Sequence, residues 1–148
     1  MVMKKILVAL VLSASLFAND IIVKESAFNV TDTIENIKKI VEAKGFSVFA
    51  VINHQQNASN VGMHLNESKV IIFGNPKIGT LLMQEDMQIA LDLPLRILVY
   101  LDGDKKVKVA YRDGKWIKDH HFLQSENLTN KVNEGLNKIT DKARLKAK

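Results

Sequence analysis

The chain has 148 residues, of which 47% are hydrophobic and 25% charged, and its formal net charge is +5. This length supports one domain with a sizeable core and excludes two ordinary domains. The absence of cysteine excludes disulfides and thiolate metal sites. The sequence contains no stripe of basic residues interleaved with aromatics, so nucleic-acid binding is not predicted.

The first residues predict a secretory signal peptide over residues 1–18. Lys4 and Lys5 form a basic region, and an apolar run over residues 6–17 leads to Ala18. This run is too short for a stable membrane anchor, and the order of its parts is that of an exported protein. A buried N-terminal strand is the alternative. No cysteine follows the run to carry a lipid, so a periplasmic or secreted protein is expected.

The remaining residues 19–148 predict a single domain with a strand, a helix, four further strands and a closing helix. Asn29 is placed to cap the first helix, with Asp32 as the carboxylate of a capping-box-like start, and Gly45 ends that helix. The predicted strands lie at residues 21–23 continuing toward Phe28, and at 46–52, 69–73, 96–101 and 106–111.

Small helices are predicted around the third strand. The polar crossover at residues 53–62 is long enough for one short helix. Asn75 and Pro76 open another, because proline is favoured at the first helical position. Apolar residues at helical spacing mark the closing helix at about residues 127–146. This order defines the α+β class, with an antiparallel sheet.

The central strands are apolar on both sides. In the second strand Val48 and Ile52 share one face, whereas Phe49 and Val51 share the other. A half-buried strand alternates with polar residues, so we expect both faces of this sheet to be covered. Two long helices cover one face, and inserted helices, a ligand or a second subunit must cover the other. A homodimer burying upwards of about 1,000 Å² is therefore expected.

Two blocks of the chain, residues 73–83 (FGNPKIGTLLM) and 91–96 (LDLPLR), resemble the bacterial family called domain of unknown function 302. The resemblance covers about residues 25–125. Asn53 departs from it, since Asp is more usual there, and so does Gly114, since Pro often follows the preceding Asp. The resemblance is supported by three further features. A histidine follows the second strand (His54), a Tyr-x-Asp lies near the hairpin end (residues 111–113), and a late histidine is present (His120 or His121).

The resemblance implies a β-α-β4-α order, similar in topology to the TATA-binding-protein fold. It also implies dimers, because members of this family tend to form them. The topology carries no implication of DNA binding, since function belongs to sites and not to folds.

The segment from Gly74 to Thr80 has the spacing of a phosphate-binding loop but lacks the lysine that must follow the second glycine. A tight strand-to-helix turn is the structural interpretation, with Gly79 allowing close packing. The functional alternative is an anion, such as a carboxylate, held by the free N–H groups after Asn75 beside Lys77.

Asp92 and Arg96 flank a Leu-Pro-Leu turn. One interpretation is a structural Asp–Arg pair that closes the turn. The other is a guanidinium presented to a carboxylate or oxyanion in a pocket, since Arg96 points away from the face of Ile97.

Histidine and methionine raise the question of a metal or haem site. The four histidines lack the spacing of ligands on one helix face. Met63 beside His64, and Met83 one turn before Met87, are residue types that bind copper or haem, but methionine at this spacing is more often core filler. His54 is the strongest single functional histidine, because it follows a buried strand in a polar segment.

The sequence thus predicts a dimeric periplasmic module that binds a small anionic ligand or serves as an accessory protein. The alternatives are a haem- or metal-binding redox protein or enzyme that uses His54, and a purely structural protein. No nucleophile has a base at a suggestive spacing, so no reaction or cofactor is predicted. The ligand is expected in one cleft, which His54 reaches only if its segment folds back or a partner supplies it. The candidate binding residues are Lys77, Arg96, His54, Asn75, Gly79, Thr80 and Asp92.

Overall fold

The structure is a computed structural model that describes residues 20–146. The predicted signal peptide lies outside the described residues. The strands are β1 (Ile22–Glu25), β2 (Ser47–Asn53), β3 (Ser68–Gly74), β4 (Leu95–Leu101) and β5 (Val107–Tyr111). The helices are α1 (Val30–Ala43), α2 (His54–Asn60), α3 (Pro76–Glu85), α4 (Gly114–His120) and α5 (Glu126–Arg144), with a short 3-10 helix at Met87–Leu91.

The strands form one antiparallel sheet in the order β1-β5-β4-β3-β2. The protein is therefore α+β, as predicted, with β-α-β4-α as its principal order. Ser47 pairs with Gly74, whereas Asn53 at the other end of β2 pairs with Lys69. Phe73 pairs with Leu95, so the end of β3, the start of β4 and the start of β2 meet at one end of the sheet.

One face of the sheet, here the covered face, packs against α1 and α5. The cross-strand pairs Ile71–Ile97 and Val99–Val109 place these four side chains on that face. All four have no exposed surface. They share one core cluster with α1 and α5 residues that include Ile34, Ile37, Val41, Leu136 and Ile139.

The opposite face, here the open face, is only partly buried in the single chain. Val70 pairs with Leu98, and Leu98 with Ala110, so these residues lie in one row across the sheet. Val70 and Leu98 are half-buried, and neither belongs to the core cluster. Inserted helices were one of the three covers expected for this face. Among the described residues they do not provide it, because α3 and the 3-10 helix lie at the end of the sheet instead.

Local signals in the sequence placed most element ends. Asn29 Oδ1 accepts from Asp32 N at 2.7 Å at the start of α1, and Gly45 has φ +76 just after its end. Asn75 caps α3, which begins at Pro76, as predicted. The first strand is shorter than predicted and ends at Glu25. The sequence did not predict α4. The cap of this helix is Asp113, whose Oδ1 accepts from Trp116 N at 2.9 Å.

Candidate functional site

Two cavities open at the end of the sheet where β3 ends and β4 begins. The apolar cavity, of about 320 Å³, lies between α3, the strand ends and α5. The arginine cavity, of about 270 Å³, lies where the open face meets α4. Both volumes are close to the lower end of the range typical of small-molecule sites, about 300 Å³.

The apolar cavity is walled mainly by hydrocarbon. Phe49 and Phe73 come from the sheet, Leu82 and Met83 from α3, and Leu136 from α5. The polar residues among its lining are few, namely Asn75, Thr80 and Lys131. A cavity of this kind suits a ligand with an apolar body and one polar end.

Gly135 lines the apolar cavity from the middle of α5. A Cβ built at this position meets no atom within 4 Å. Glycine in a helix interior costs about 0.5–1 kcal/mol relative to alanine, so local stability alone would favour alanine here. Gly114 is different, because a Cβ there would lie 1.9 Å from the carbonyl oxygen of Thr129. Gly114 serves the close packing of α4 on α5, whereas Gly135 keeps space open.

The arginine cavity carries two exposed guanidinium groups. Arg96 projects from β4 on the open face, and Arg112 follows the last residue of β5. The Arg112 Cζ atom lies 4.5 Å from the centroid of the Trp116 ring. Leu98 and Ala110 of the open face also line this cavity, so a charged side and an apolar side face each other.

His121 lies beside this cavity between two carboxylates. Its Nε2 donates to Asp92 Oδ2 at 2.9 Å, and its Nδ1 is 3.5 Å from Asp86 Oδ2. Phe122 N donates to Asp86 Oδ2 at 3.1 Å, and Ser125 N to Glu85 Oε2 at 3.0 Å. We call this set the His121 clasp, because it joins the end of α3 and the 3-10 helix to the α4–α5 connection. It consists of Glu85, Asp86, Asp92 and residues 121–125.

The clasp also perturbs its carboxyl groups. Backbone N–H groups of Phe122 and Gln88 hold the pKa of Asp86 below its ordinary value, helped by the nearby His121. Hydrogen bonds from Ser125 lower the pKa of Glu85. Both residues are thus stabilised as carboxylates, which strengthens the connection between the two segments.

The predicted site residues are divided between the cavities. Gly79 and Thr80 line the apolar cavity, whereas Asp92 and Arg96 line the arginine cavity. Lys77 is exposed and lines neither, and His54 begins α2 at the opposite end of the sheet. The prediction of one shared cleft is therefore wrong for the single chain. The segment after β2 forms a helix there and does not fold back.

Two proposed roles also change. Asn75 Oδ1 accepts from Lys77 N at 3.0 Å and from Ile78 N at 3.4 Å. The first free N–H groups of α3 are thus satisfied within the chain, which weakens the predicted anion site there. The predicted Asp92–Arg96 pair is not formed, because Asp92 pairs with His121.

The sequence did not predict Asp86, Arg112 and Trp116 as site residues. The signals present were the Tyr-x-Asp motif and the late histidine, but neither indicates a partner by itself. Asp86 reaches His121 across 35 positions of sequence, and only the fold brings such residues together. Asn53, the departure from the family pattern, caps α2 by accepting from Gln56 N at 3.0 Å.

Within residues 20–146, no group of three or more His, Asp or Glu side chains could hold a metal ion. Met63 and Met87 are 68% and 71% exposed, while Met83 lines the apolar cavity. Two of these three thioethers are thus mostly exposed, and the third lies on the wall of the apolar cavity. In the same range, no helix has both the length and the hydrophobicity needed to cross a membrane.

The fold and cavities define a small α+β protein with a single antiparallel sheet. The family model described as domain of unknown function DUF302 matches residues 22–143. The chain belongs to this family. A crystal structure of an uncharacterized conserved DUF302 protein from Bacillus stearothermophilus has the same fold, with a TM-score of 0.68 at 13% identity. The match covers 86% of this chain and 97% of that one.

Curated relatives carry a more specific name. The chain is 37% identical over 110 residues to a protein from Brucella suis named fluoride-specific ion channel FluC 1, and equally similar to one from Brucella abortus. The matched segment covers 74% of this chain but only 43% and 41% of those proteins. The chain thus spans less than half the length of the curated relatives that it matches.

Proposed function

We propose that the protein is an exported, dimeric module that binds a small amphipathic acid in the apolar cavity. The observation that carries this proposal is the cavity itself, a space of about 320 Å³ with an apolar wall and few polar residues. Pockets of this composition are the usual sites of small-molecule binding.

The wall of the cavity supports a hydrocarbon ligand body. Phe73, Leu82 and Leu136 are at most 1% exposed, so their positions are held by the core behind them. Phe49 lines the cavity, and its side chain is 55% exposed in the single chain. A bound apolar group would remove this ring from water, at about 25 cal/mol per Å² of apolar surface buried.

Lys131 supports an acidic group at the other end of the ligand. It lies on α5 one turn before Gly135, so both face the cavity. No carboxylate oxygen lies within 4.0 Å of its Nζ among residues 20–146. A ligand carboxylate would meet this ammonium, with the Thr80 hydroxyl available as a further donor.

Calorimetric titration with octanoate tests the proposal, with octanol as the neutral control. Octanoate is expected to bind, and Lys131→Gln to weaken it about tenfold while leaving octanol unchanged. Gly135→Leu fills the cavity and should abolish the binding of octanol and the Lys131-dependent binding of octanoate. Gly135→Ala is the matched control, because its Cβ has free space and the cavity remains. Octanol binding that survives in Gly135→Leu would place the ligand elsewhere, and octanoate binding that is absent or is unchanged by Lys131→Gln would refute the proposal.

The β2 edge supports a dimer. β2 is the edge strand next to β3, it carries no charged residue, and Phe49 and Val51 on it are exposed. At the other edge β1 is shorter and contains Lys24 and Glu25, which discourage pairing. We propose that two β2 strands meet across a two-fold axis. Light scattering should give twice the monomer mass, and Val51→Lys should give the monomer, with Val23→Lys on β1 as the control.

Export is the remaining part of this proposal. The signal pattern supports cleavage near Asn19 and a periplasmic location. N-terminal sequencing of the protein from a periplasmic extract should begin close to this residue. An intact Met1 in the soluble cytoplasmic fraction would contradict it.

The similarity to proteins named fluoride-specific ion channels favours a second candidate, an accessory role toward such a channel. The shared segment makes up less than half of those relatives, so the channel activity in their name need not lie in it. We propose that the ligand-bound module modulates a channel partner. Deletion of the gene should change the fluoride sensitivity of the cells, and Gly135→Leu should fail to restore it whereas Gly135→Ala succeeds.

A further inference from the structure

The arginine cavity lies outside the proposed ligand site, and its charge is not compensated. Among residues 20–146, Arg144 forms an ion pair with Asp141 at 3.0 Å, but neither Arg96 nor Arg112 has a carboxylate oxygen within 4.0 Å. Asp92 also lines this cavity, but its carboxylate accepts from His121. Both guanidinium groups of the cavity therefore lack an ion-pair partner among the described residues.

The position of the two arginines makes this arrangement unfavourable without a ligand. Leu98 pairs with Ala110. Arg96 lies two residues before Leu98, and Arg112 two residues after Ala110 and one past the end of β5, so both extend this row toward the same end of the sheet. Like charges at opposing positions of an antiparallel pair are destabilising. A shared anion removes this repulsion and uses the planar donors of both groups.

The surroundings hold the Arg112 side chain in place. Arg112 packs over the Trp116 ring, which also stacks on the imidazole of His120, with centroids 4.3 Å apart. Trp116 also meets the His121 ring edge-on at 6.4 Å. The clasp thus supports the aromatic side of this cavity. An organized positive site costs less entropy on binding than flexible lysines do.

We propose that this cavity is a second binding site, for a small organic carboxylate. The carboxylate is held between Arg96 and Arg112, and the apolar part of the ligand lies on Leu98, Ala110 and Val70 of the open face. Neither Arg96 nor Arg112 lines the apolar cavity, so this site is independent of the function proposed above.

Trp116 makes the proposal directly measurable, because it is the only tryptophan of the chain. Benzoate is expected to produce a saturable change in tryptophan fluorescence of the full-length protein, and benzyl alcohol, the neutral analogue, is expected to produce none. Arg96→Gln should weaken benzoate about tenfold to a hundredfold, the usual consequence of losing a hydrogen bond to a charged group. This variant leaves the Arg112–Trp116 contact in place, so the affinity can be compared directly.

Matched variants separate this site from the first one. Lys77→Gln, at an exposed lysine outside both cavities, should bind benzoate as the unaltered protein does. Gly135→Leu should also bind benzoate normally, although it loses octanol. The proposal is overturned if benzoate gives no saturable response, if Arg96→Gln binds it unchanged, or if Lys77→Gln weakens it as much as Arg96→Gln does. Thermal unfolding of Arg96→Gln confirms that a lost response is not a lost fold.

Discussion

The two faces of the sheet carry similar aliphatic side chains but differ in burial. On the covered face Ile71 and Ile97 have no exposed surface, whereas on the open face Val23 is 45% exposed and Ile72 is half-buried. The covered face packs against two long helices, and the open face has no such layer among the described residues. The difference teaches that apolar content alone does not say which face belongs to the core.

The largest expected effect comes from neighbouring isoleucines on opposite faces. Ile71→Ala should lower the free energy of unfolding by about 3–4 kcal/mol, because it leaves a cavity in the packed core. Ile72→Ala should lower the free energy of unfolding of the monomer by only about 1 kcal/mol. Urea unfolding of both variants measures this difference. Equal losses would show that the open face is as tightly packed as the covered face, and a loss at Ile72 that grows with protein concentration would indicate its burial in a dimer.

Two glycines, one where α4 packs on α5 and one inside α5, give the next contrast. Gly114→Ala should destabilise by about 2–3 kcal/mol, because its Cβ would overlap the Thr129 carbonyl group and α4 must shift from α5. Gly135→Ala should stabilise by about 0.5–1 kcal/mol, since alanine is the better helix residue and has free space. Thermal denaturation of the pair provides the measurement. A destabilising Gly135→Ala would mean that this space is not open.

The His121 clasp should contribute a smaller amount. His121→Ala is expected to cost about 1–3 kcal/mol, because it leaves the Asp86 and Asp92 carboxylates without their shared partner. His120→Ala is the control, since His120 is exposed. Hydrogen exchange of the 3-10 helix and the α4–α5 connection should increase in the first variant only. Unchanged exchange at both segments would contradict the role of the clasp.

The smallest expected effect is a difference in acid sensitivity between the clasp and the open face. The pKa of Asp86 is lowered from its ordinary value of 3.8, so its stabilising contribution is complete above that value and is lost as the pH falls through the lower folded pKa. Asp86→Asn should therefore flatten the loss of stability that occurs as the pH falls below 3.8.

Glu25 on the open face provides the comparison. A hydrogen bond from Lys108 lowers the pKa of Glu25, as the backbone donors do for Asp86, but the Glu25 carboxylate is exposed. Its contribution should decrease in high salt, whereas backbone donors hold Asp86 with little dependence on salt. Denaturant unfolding of Asp86→Asn and Glu25→Gln at two salt concentrations tests this. The same salt dependence in both variants would contradict the distinction.

The candidate site could be predicted only in part. The turns at Gly79–Thr80 and Asp92–Arg96 were recognisable because glycine, proline and charged residues between apolar strands are typical of turns with a structural or functional role. Their separation into two cavities was not visible, because α5 closes one and α4 the other. The partner of Asp92 was predicted to be the nearby Arg96, but the fold supplies His121, which lies 29 positions away.

By itself the sequence determined the α+β class, the order of the main elements and their caps, because these depend on periodicity and on side chains within one turn of the element ends. Asn29 and Asn75 act through neighbours two or three positions away, so their roles were predictable. Only the tertiary structure decided which sheet face is covered, the presence of α4, the use of Gly135 as open space and the opposition of Arg96 and Arg112. These features depend on contacts between distant segments, and local propensity carries no information about them.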